Sequence, residues 1–485
     1  MSVETLYWHD YETFGADPRR DRPVQFAGQR TDLDLNPLGD PLVCFARPSG
    51  DYLPSPSACL VTGITPQRAL EEGRPEAQFI TAVLAELGRP GTCGVGYNSI
   101  RFDDEVTRHT LYRNLHDPYA REWTNGNSRW DIIDMVRLTY ALRPEGLEWP
   151  MKERGVPSFR LEALTAANGI AHEGAHDALA DVRATIELAR RVREAQPRLY
   201  EWVFSNRTKR AAGRLLDLLH PEPVLHVSAR FPARHGCLAV VAPVMVHPVN
   251  RNSVVVWDLR HDPAMLEGLD ADAIRRRLYT PTDRLEEGET RIPLKEVHLN
   301  RAPVLAPLKT LPPHRAEALE IDLEAAGRHF RTLEGMLERL RPLLQPVFAE
   351  REFEVEEDPD LMLYSGGFFS DADRARMEEI RRTPPEELGR RSWRFDDPRL
   401  PEMVFRYRAR NWPELLDPTD RERWLAFCRE RVVEGRGGWR NLEAFRAELE
   451  RLSLEAPEDE HRQRLLQALA RWGAEMAACL GVDFP

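Results

Sequence analysis

The stretch that decides the fold is Tyr7-Trp8-His9-Asp10-Tyr11-Glu12-Thr13, close to the start of the 485-residue chain. Its apolar lead and acid-x-acid core predict a largely buried strand. Because successive side chains of a strand point to opposite faces, Asp10 and Glu12 project to one face. Two carboxylates that point at one place repel each other unless a cation lies between them. A solvated strand edge is the alternative, and the apolar residues before Asp10 argue against it.

Three further residues extend this acidic pair. Asp103 opens a predicted helix over Asp103–Arg113, and His176 and Asp181 have the spacing His-x4-Asp around the start of a predicted helix over Asp177–Glu194. Taken alone, Asp103 fits a helix start favoured by the helix dipole, and His176 fits a capping or surface residue. Together, the four acids offer the oxygen ligands that hard divalent cations prefer. Two such cations and a base can hydrolyse a phosphodiester, so the pattern indicates a nuclease.

The composition limits the class of protein. A chain of 485 residues predicts two to four domains, and 42% hydrophobic with 30% charged residues is typical of a soluble globular protein. We see no apolar run of about 18 residues, as a membrane helix needs, and no secretory signal in Met1–Leu6. The six cysteines form no CxxC pair, which argues against structural zinc and disulfides and favours a reducing cytoplasm.

The net charge of −12 has the wrong sign for a protein that coats DNA through bulk electrostatics. It does not exclude nucleic acid, because a local basic groove can bind phosphates on an acidic protein.

Three regions follow one another along the chain. Residues 1–196 alternate strand and helix signals, and open with a predicted three-strand meander, so they predict an α/β domain. Residues 197–350 hold short strands separated by turns, which favour a small barrel, together with helical stretches. Glu350–Asp360 carries seven acids and predicts a solvated linker, and residues 351–485 predict an α-helical domain. The predicted strands are Leu6–Tyr11, Val24–Arg30, Pro41–Arg47, Thr92–Tyr97, Val224–Ser228, Leu238–Val246 and Val254–Leu259. The predicted helices include Pro66–Leu87, Asp131–Leu142, Leu161–Asn168, Ala271–Leu278, Glu317–Ala326, Arg331–Leu344, Ser370–Arg382, Asp417–Val433, Leu442–Leu452 and His461–Leu480.

The order Asp-x-Glu, Asp and His-x4-Asp within one α/β unit resembles the DEDDh 3′→5′ exonucleases, which have a ribonuclease H-like fold. Longer segments are similar to bacterial exonuclease I, a family that degrades single-stranded DNA. The resemblance spans nearly the whole chain and is weaker over Asp258–Thr290 and at the extreme C-terminus. The similar segments are His9–Gly15, Asp21–Ala27, Thr62–Gln67, Phe102–Arg108, Tyr140–Gly146, Pro157–Glu162, Asn250–Asn252, Gly367–Arg374 and Tyr407–Asn411.

The resemblance implies an architecture and an activity. It implies a ribonuclease H-like exonuclease domain over 1–196, an SH3-like middle domain with helical insertions over 197–350, and an α-helical C-terminal domain over 351–485. It also implies 3′→5′ digestion of single-stranded DNA to 5′-mononucleotides, in DNA repair and recombination. A further implication is a monomer that binds the C-terminal tail of single-stranded DNA-binding protein.

The resemblance also assigns roles to residues. Asp10, Glu12, Asp103 and Asp181 would hold two Mg²⁺ ions, which Mn²⁺ could replace, and Asp10 would bridge the two. His176 would be the general base, since an ordinary histidine titrates near neutral pH. Glu12 would also contact the substrate, and Arg160 matches a family arginine that clamps a phosphate.

Aromatic residues beside arginines are the remaining candidates for strand binding. Base stacking on aromatic rings, with arginine on phosphates, is how channels bind single strands without regard to sequence. Core packing is the alternative for each aromatic residue taken alone. The candidates are Arg108, Tyr119, Trp123, Phe368 and Phe369.

Three other functions are alternatives to a single-stranded DNA exonuclease. A DEDDh exoribonuclease that trims RNA 3′ ends uses the same chemistry, but such enzymes are usually little longer than the first domain here. A non-catalytic single-stranded DNA-binding scaffold would be expected to have lost one of the five site residues, and all five are present. A zinc hydrolase could use His172 and His176, although hard acidic clusters prefer Mg²⁺ or Mn²⁺.

Overall fold

The computed structural model describes residues 4–152, 155–172, 174, 177–349 and 356–484. The strands are β1 (Thr5–Thr13), β2 (Pro23–Thr31), β3 (Leu42–Phe45), β4 (Thr92–Gly96), β5 (Ser128–Asp131), β6 (Val224–Val227), β7 (Leu238–Val246), β8 (Ser253–Asp258), β9 (Leu294–His298) and β10 (Leu305–Pro307). The α-helices are α1 (Pro56–Thr62), α2 (Pro66–Glu72), α3 (Glu76–Leu87), α4 (Asp103–Arg113), α5 (Ile132–Leu142), α6 (Leu161–Ala167), α7 (Ala178–Ala195), α8 (Pro197–Asn206), α9 (Lys209–Leu215), α10 (Ala271–Tyr279), α11 (Pro313–Ala318), α12 (Leu323–Ala349), α13 (Asp371–Arg382), α14 (Pro385–Leu388), α15 (Leu400–Asn411), α16 (Pro418–Cys428), α17 (Leu442–Glu455) and α18 (Glu460–Cys479).

These elements form two compact units. Unit 1 comprises residues 1–128, 173–183 and 355–485, and unit 2 comprises residues 129–172 and 184–354. The division therefore does not follow the linear order of the chain.

Within unit 1, the sheet that carries the acidic pair has the strand order β3-β2-β1-β4. Strands β1 and β2 are antiparallel, with Asp10 opposite Ala27 and Glu12 opposite Gln25. Strand β3 is antiparallel to β2, whereas β4 runs parallel to β1. The predicted three-strand meander is confirmed, and it places both acids on the central strand β1.

The two faces of β1 have different neighbours. Tyr7 and Tyr11 belong to a buried apolar cluster with Phe26 of β2 and Phe79 of α3. Burying an aromatic side chain of this size contributes about 1.5–3 kcal/mol. Because side chains alternate along a strand, Asp10 and Glu12 project to the opposite face. The apolar cluster thus fixes the side of the sheet on which the acids stand.

Most observed helices of unit 1 lie where helices were predicted, but there are more of them than predicted. The single helix predicted over Pro66–Leu87 is two helices, α2 and α3, separated at Gly73 and Pro75. A Cβ atom at Gly73 would lie 2.2 Å from the carbonyl oxygen of Ala69, so the chain turns there in a way that other residues do not fit. Helix α1 was not predicted, although Ser55 caps its start.

The sheet of unit 2 has the strand order β10-β6-β7-β8-β9 with antiparallel pairing throughout. The three strands predicted for the middle region match β6, β7 and β8 within one residue at each end. The helices predicted over Glu317–Ala326 and Arg331–Leu344 are instead the short α11 and the long α12. Helix α12 runs through Gly327 and contains two prolines, because its apolar side packs in the core along most of its length.

Among the described residues 356–360, the prediction of a solvated linker is wrong at Asp360, whereas Glu357 is exposed. Glu350–Asp360 was expected to be solvated, but within the part that the structure describes Asp360 is 4% exposed. Its carboxylate accepts hydrogen bonds from Arg406 at 2.9 Å and from Arg410. Buried arginines supply the charge compensation that the local sequence lacks. Residues 350–355 lie outside the described residues.

Among the described residues, no helix is both long and apolar enough to span a lipid bilayer.

Candidate active site

Three of the predicted ligands meet at one point of unit 1. Asp10 and Glu12 project from β1, and Asp181 lies in the first turn of α7. One carboxylate oxygen from each lies within 4.8 Å of the others, close enough for a single cation to contact all three. Glu12 is 7% exposed, while Asp10 and Asp181 are half-buried.

Asp103 lies beside these three residues. It is the first residue of α4, and its Oδ1 accepts a hydrogen bond from the backbone N–H of Tyr11 at 3.1 Å. Tyr11 stands between Asp10 and Glu12 on β1, so this bond fixes the start of α4 against the strand that bears both acids. The next residue, Asp104, has a different partner, since Arg121 donates a hydrogen bond to it at 2.6 Å.

The electrostatics of the cluster show that these carboxylates are unfavourable together in the absence of a cation. Burial raises the pKa of Glu12 to about 9, with further contributions from the charges of Asp181, Asp103 and Asp177. Burial and the same kind of repulsion, from Asp103, Glu12 and Asp181, raise the pKa of Asp10 well above its usual range. An oxygen-only set of acids that disfavours its own charge fits a hard divalent cation.

The start of α7 is attached to the sheet by a buried glutamine. Gln25 of β2 donates from Nε2 to Asp177 Oδ2 at 3.2 Å, and its Oε1 accepts the backbone N–H of Ala178 at 3.3 Å. Asp177 Oδ1 in turn accepts the N–H groups of Leu179 and Ala180. His176, the predicted base, lies outside the described residues.

Arg108, predicted to bind a phosphate, is buried and bonded to acids of its own unit. Its Nε and Nη2 donate to the two carboxylate oxygens of Glu122 at 2.7 Å each, and Nη1 donates to Glu105 at 2.8 Å. The hydroxyl of Tyr364 is a further partner at 3.1 Å, and the ring of Tyr119 lies 5.5 Å from the guanidinium carbon. Direct phosphate binding by Arg108 stays an untested prediction.

The predicted aromatic residues differ in exposure. Trp123 is 70% and Phe368 88% exposed, whereas Tyr119 is half-buried and has ring contacts with Phe368 and Tyr364. Phe369 is also half-buried, stacked on Tyr112. The two exposed rings are available to a ligand, and the other two partly serve to pack the unit.

The remaining predicted residues belong to unit 2. Arg160 is exposed and directly precedes α6. His172 Nδ1 lies 3.0 Å from Thr165 Oγ1, and its suggested zinc partner His176 is outside the described residues.

Three residues with contacts near the predicted site residues were not predicted from the sequence, namely Gln25, Asp177 and Tyr364. The only sequence signal for Gln25 and Asp177 was their place inside or next to segments already singled out.

The carboxylates of the cluster lie on the central strand β1 and at the starts of α4 and α7. Such an arrangement in an α/β fold is that of a metal-dependent nuclease of the exonuclease class. Residues 7–189 match the family model described as Exonuclease. Residues 207–350 match the exonuclease I SH3-like domain, and residues 357–476 match the exonuclease I C-terminal domain.

Comparison with whole proteins makes the assignment specific. The chain is 44% identical to exodeoxyribonuclease I of Escherichia coli K12, over 97% of this chain and 98% of the relative. Exonuclease I of Methylocaldum szegediense is 53% identical, with a TM-score of 0.90 over 97% of this chain and 99% of the other. E. coli exonuclease I in complex with a dA16 oligonucleotide is 44% identical, with a TM-score of 0.93 over 98% and 100%. A structure of SSB/exonuclease I with the inhibitor CFAM is 42% identical, with a TM-score of 0.89 over 98% and 100%.

The chain belongs to the exonuclease I family. The predicted fold class, a ribonuclease H-like exonuclease domain followed by an SH3-like and a helical C-terminal domain, is confirmed. Divalent metal use follows from the exonuclease domain.

Proposed function

We propose that this protein is a 3′→5′ exodeoxyribonuclease that digests single-stranded DNA to 5′-mononucleotides in DNA repair and recombination. The observation that carries the proposal is the partly buried acidic cluster of Asp10, Glu12 and Asp181 in a chain similar over nearly its whole length to exodeoxyribonuclease I.

The four acids would hold the metal, and we propose two Mg²⁺ ions, with Mn²⁺ as a substitute. When bound, such cations activate water and stabilise the charge on the attacking and leaving oxygens of a phosphodiester. Asp10 would be the shared ligand, because its carboxylate interacts with all three of the others. Asp103 is held by its bond to the Tyr11 N–H, so it would keep its position as the ligand set assembles.

His176 would act as the general base. It would accept a proton from the attacking water as the water oxygen bonds to the terminal phosphorus. The bond that breaks joins this phosphorus to the 3′ oxygen of the penultimate nucleotide, so the product is a 5′-mononucleotide and the shortened strand keeps a 3′ hydroxyl. Glu12 would also contact the terminal nucleotide.

The strand would be bound by stacking and by phosphate contacts. Trp123 and Phe368 are the strongest candidates for stacking, because their rings are largely exposed, with Tyr119 and Phe369 beside them. Arg160 is exposed and is proposed to bind a phosphate. Arg108 would act either on a phosphate or through the segment that bears Tyr119 and Glu122.

Several properties are proposed from the family. The E. coli structure with an oligonucleotide and the SSB/exonuclease I structure support single-stranded DNA and single-stranded DNA-binding protein as partners. The C-terminal tail of that protein is proposed as the bound segment from the family resemblance. We also propose a cytoplasmic monomer, with domains over 1–196, 197–350 and 351–485.

The test is digestion of single strands labelled at the 3′ or the 5′ end, with Mg²⁺ or with EDTA. We expect a 3′ label to appear at once as mononucleotide and a 5′ label to pass through a ladder of shortening strands, only when Mg²⁺ is present. Equal digestion of single-stranded RNA would favour the exoribonuclease alternative. Strand binding without digestion would favour the scaffold.

A further inference from the structure

The amide of Gln25 joins β2, the strand paired with β1, to the start of α7. Gln25 is 3% exposed and lies opposite Glu12 in the antiparallel pair β1–β2. Directly opposed residues of such a pair project to the same face with their Cβ atoms about 5 Å apart. The Gln25 side chain therefore extends from beside Glu12 to the first residues of α7, where it contacts Asp177 and Ala178.

Asp177 transmits this contact into the helix. Its Oδ1 accepts the N–H groups of Leu179 and Ala180 at 3.2 Å each, which caps the start of α7. Its carbonyl oxygen accepts the N–H of Asp181 at 3.1 Å, the hydrogen bond that begins the helix there. Asp181 is thus fixed one helical turn beyond the residue that Gln25 holds.

We propose that Gln25, acting through Asp177, is a positioning residue that sets the distance between the Glu12 and Asp181 carboxylates for metal binding. The proposal rests on the proposed function, because it concerns the same acidic cluster. Gln25 would act on the ligands and not as one of them, because its Nε2 donates to Asp177 and its Oε1 accepts the N–H of Ala178.

The physical reason is that the carboxylates repel each other. At short range, the negative charge on either Glu12 or Asp181 makes ionisation of the other less favourable. Without a metal ion the two carboxylates therefore tend to move apart, unless the strand and the helix are held together. A neutral amide can do this, because it donates to Asp177 and accepts from Ala178 without adding charge. Residues that orient metal ligands typically change metal affinity by about 10–100-fold when they are removed.

The test uses the full chain with five variants, and Mn²⁺ binding is measured by calorimetry. Gln25→Met keeps the size of the side chain but removes both hydrogen bonds. Gln25→Glu places a carboxylate against Asp177. The double variant Gln25→Glu/Asp177→Asn restores a donor and acceptor pair with its direction reversed, and asparagine caps a helix about as well as aspartate.

Gln29→Met is the matched control. Gln29 lies on the same strand and the same face, is similarly buried, and donates to the backbone oxygens of Arg30 and Gly39 instead of to α7. Asp181→Asn serves as the reference for loss of the site. Thermal unfolding in EDTA establishes that each variant is folded.

We expect Gln25→Met to weaken Mn²⁺ binding by about 10–100-fold and Gln25→Glu by more. The double variant should recover most of the loss, and Gln29→Met should stay within about 2-fold of the unchanged protein. The Mg²⁺ concentration for half-maximal digestion should rise in the same order. Unchanged Mn²⁺ affinity in Gln25→Met, equal weakening in Gln29→Met, or no recovery in the double variant would each overturn the proposal.

Failure of the proposed function would look different. In that case the unchanged protein would digest no single-stranded DNA, whereas the Mn²⁺ isotherms would still report on Gln25.

Discussion

Glu12 shows how a single residue can be favourable for function and unfavourable for stability. It is nearly buried on the central strand, and burial with three neighbouring carboxylates raises its pKa to about 9. Such a group binds a proton or a cation far more readily than an exposed glutamate does. The raised pKa of Glu12 and the repulsion behind it lead to two predictions for single residues.

The first prediction concerns Asp181→Asn. Removing one carboxylate should lower the rate of digestion by at least about 100-fold, because a metal ligand is lost. In EDTA the same change should raise the free energy of unfolding by about 1 kcal/mol, because repulsion within the cluster decreases. Digestion assays and urea unfolding of both proteins measure the two effects. A variant that is inactive and also less stable in EDTA would contradict this account of the cluster.

The second prediction concerns pH in the metal-free protein. The pKa of Glu12 is about 9 in the folded protein against 4.5 for the ordinary group. Between these values the folded state binds the extra proton, so this group's contribution to stability falls as pH rises from about 4.5 to 9. Urea unfolding across this range in EDTA should show the decrease, and Mg²⁺ should remove it. The decrease should also be smaller in Glu12→Gln, and an equal decrease there would assign it to other groups.

Among the individual residues, the acidic residues of the site could be predicted from the sequence, but the residues that hold them in place could not. Asp10, Glu12 and Asp103 each lie in a local pattern, a strand or a helix start, that can be read from adjacent residues. Gln25 meets Asp177 across 152 positions of sequence. Arg108 is in the same situation, because its carboxylate partner Glu122 cannot be inferred from a helix pattern.

At the scale of elements, α4 combines two tasks that the sequence did not separate. Its first residue, Asp103, belongs to the acidic cluster, while Arg108, on the same helix, holds the segment that contains Glu122. The prediction of α4 over Asp103–Arg113 is confirmed to the residue. The break between α2 and α3 was missed, although Gly73 and Pro75 are local signals for the end of a helix.

The third prediction tests which task Arg108 performs. Arg108→Gln removes both the positive charge and the paired hydrogen bonds to the carboxylate of Glu122. We expect lower thermal stability and weaker strand binding, with the salt dependence of binding to single-stranded DNA unchanged. Binding measured across a range of NaCl concentrations gives this dependence. A dependence reduced by about one phosphate contact would instead support direct phosphate binding by Arg108. Arg160→Gln is the comparison, because Arg160 is exposed and is proposed to bind a phosphate.

At the scale of the whole molecule, distant parts of unit 1 are joined by buried charges. Asp51 is 1% exposed and pairs with Arg410 and Arg431, each at 2.9 Å, and with Arg22 at 3.6 Å. Burial opposes the charge on Asp51, yet the arginines hold the pKa of its carboxyl well below its usual range. The segment around Asp360, predicted to be a solvated linker, belongs to the same network. A run of acidic residues predicts a solvent-exposed segment only if no basic side chains pair with it. Here the basic side chains are arginines of α15 and Arg431.

The fourth prediction is that Asp51→Asn destabilises the protein by about 3–5 kcal/mol, because it leaves buried arginine charge without compensation. Urea unfolding should show the loss as a lower midpoint, by nearly the same amount in 0.05 M and 0.5 M NaCl, since buried pairs are screened little. Glu72→Gln is the control. It removes an exposed ion pair with Arg68, whose side chains are 47% and 43% exposed, and should cost no more than about 0.5 kcal/mol. A loss in Asp51→Asn as small as in the control would mean that apolar packing alone joins these segments.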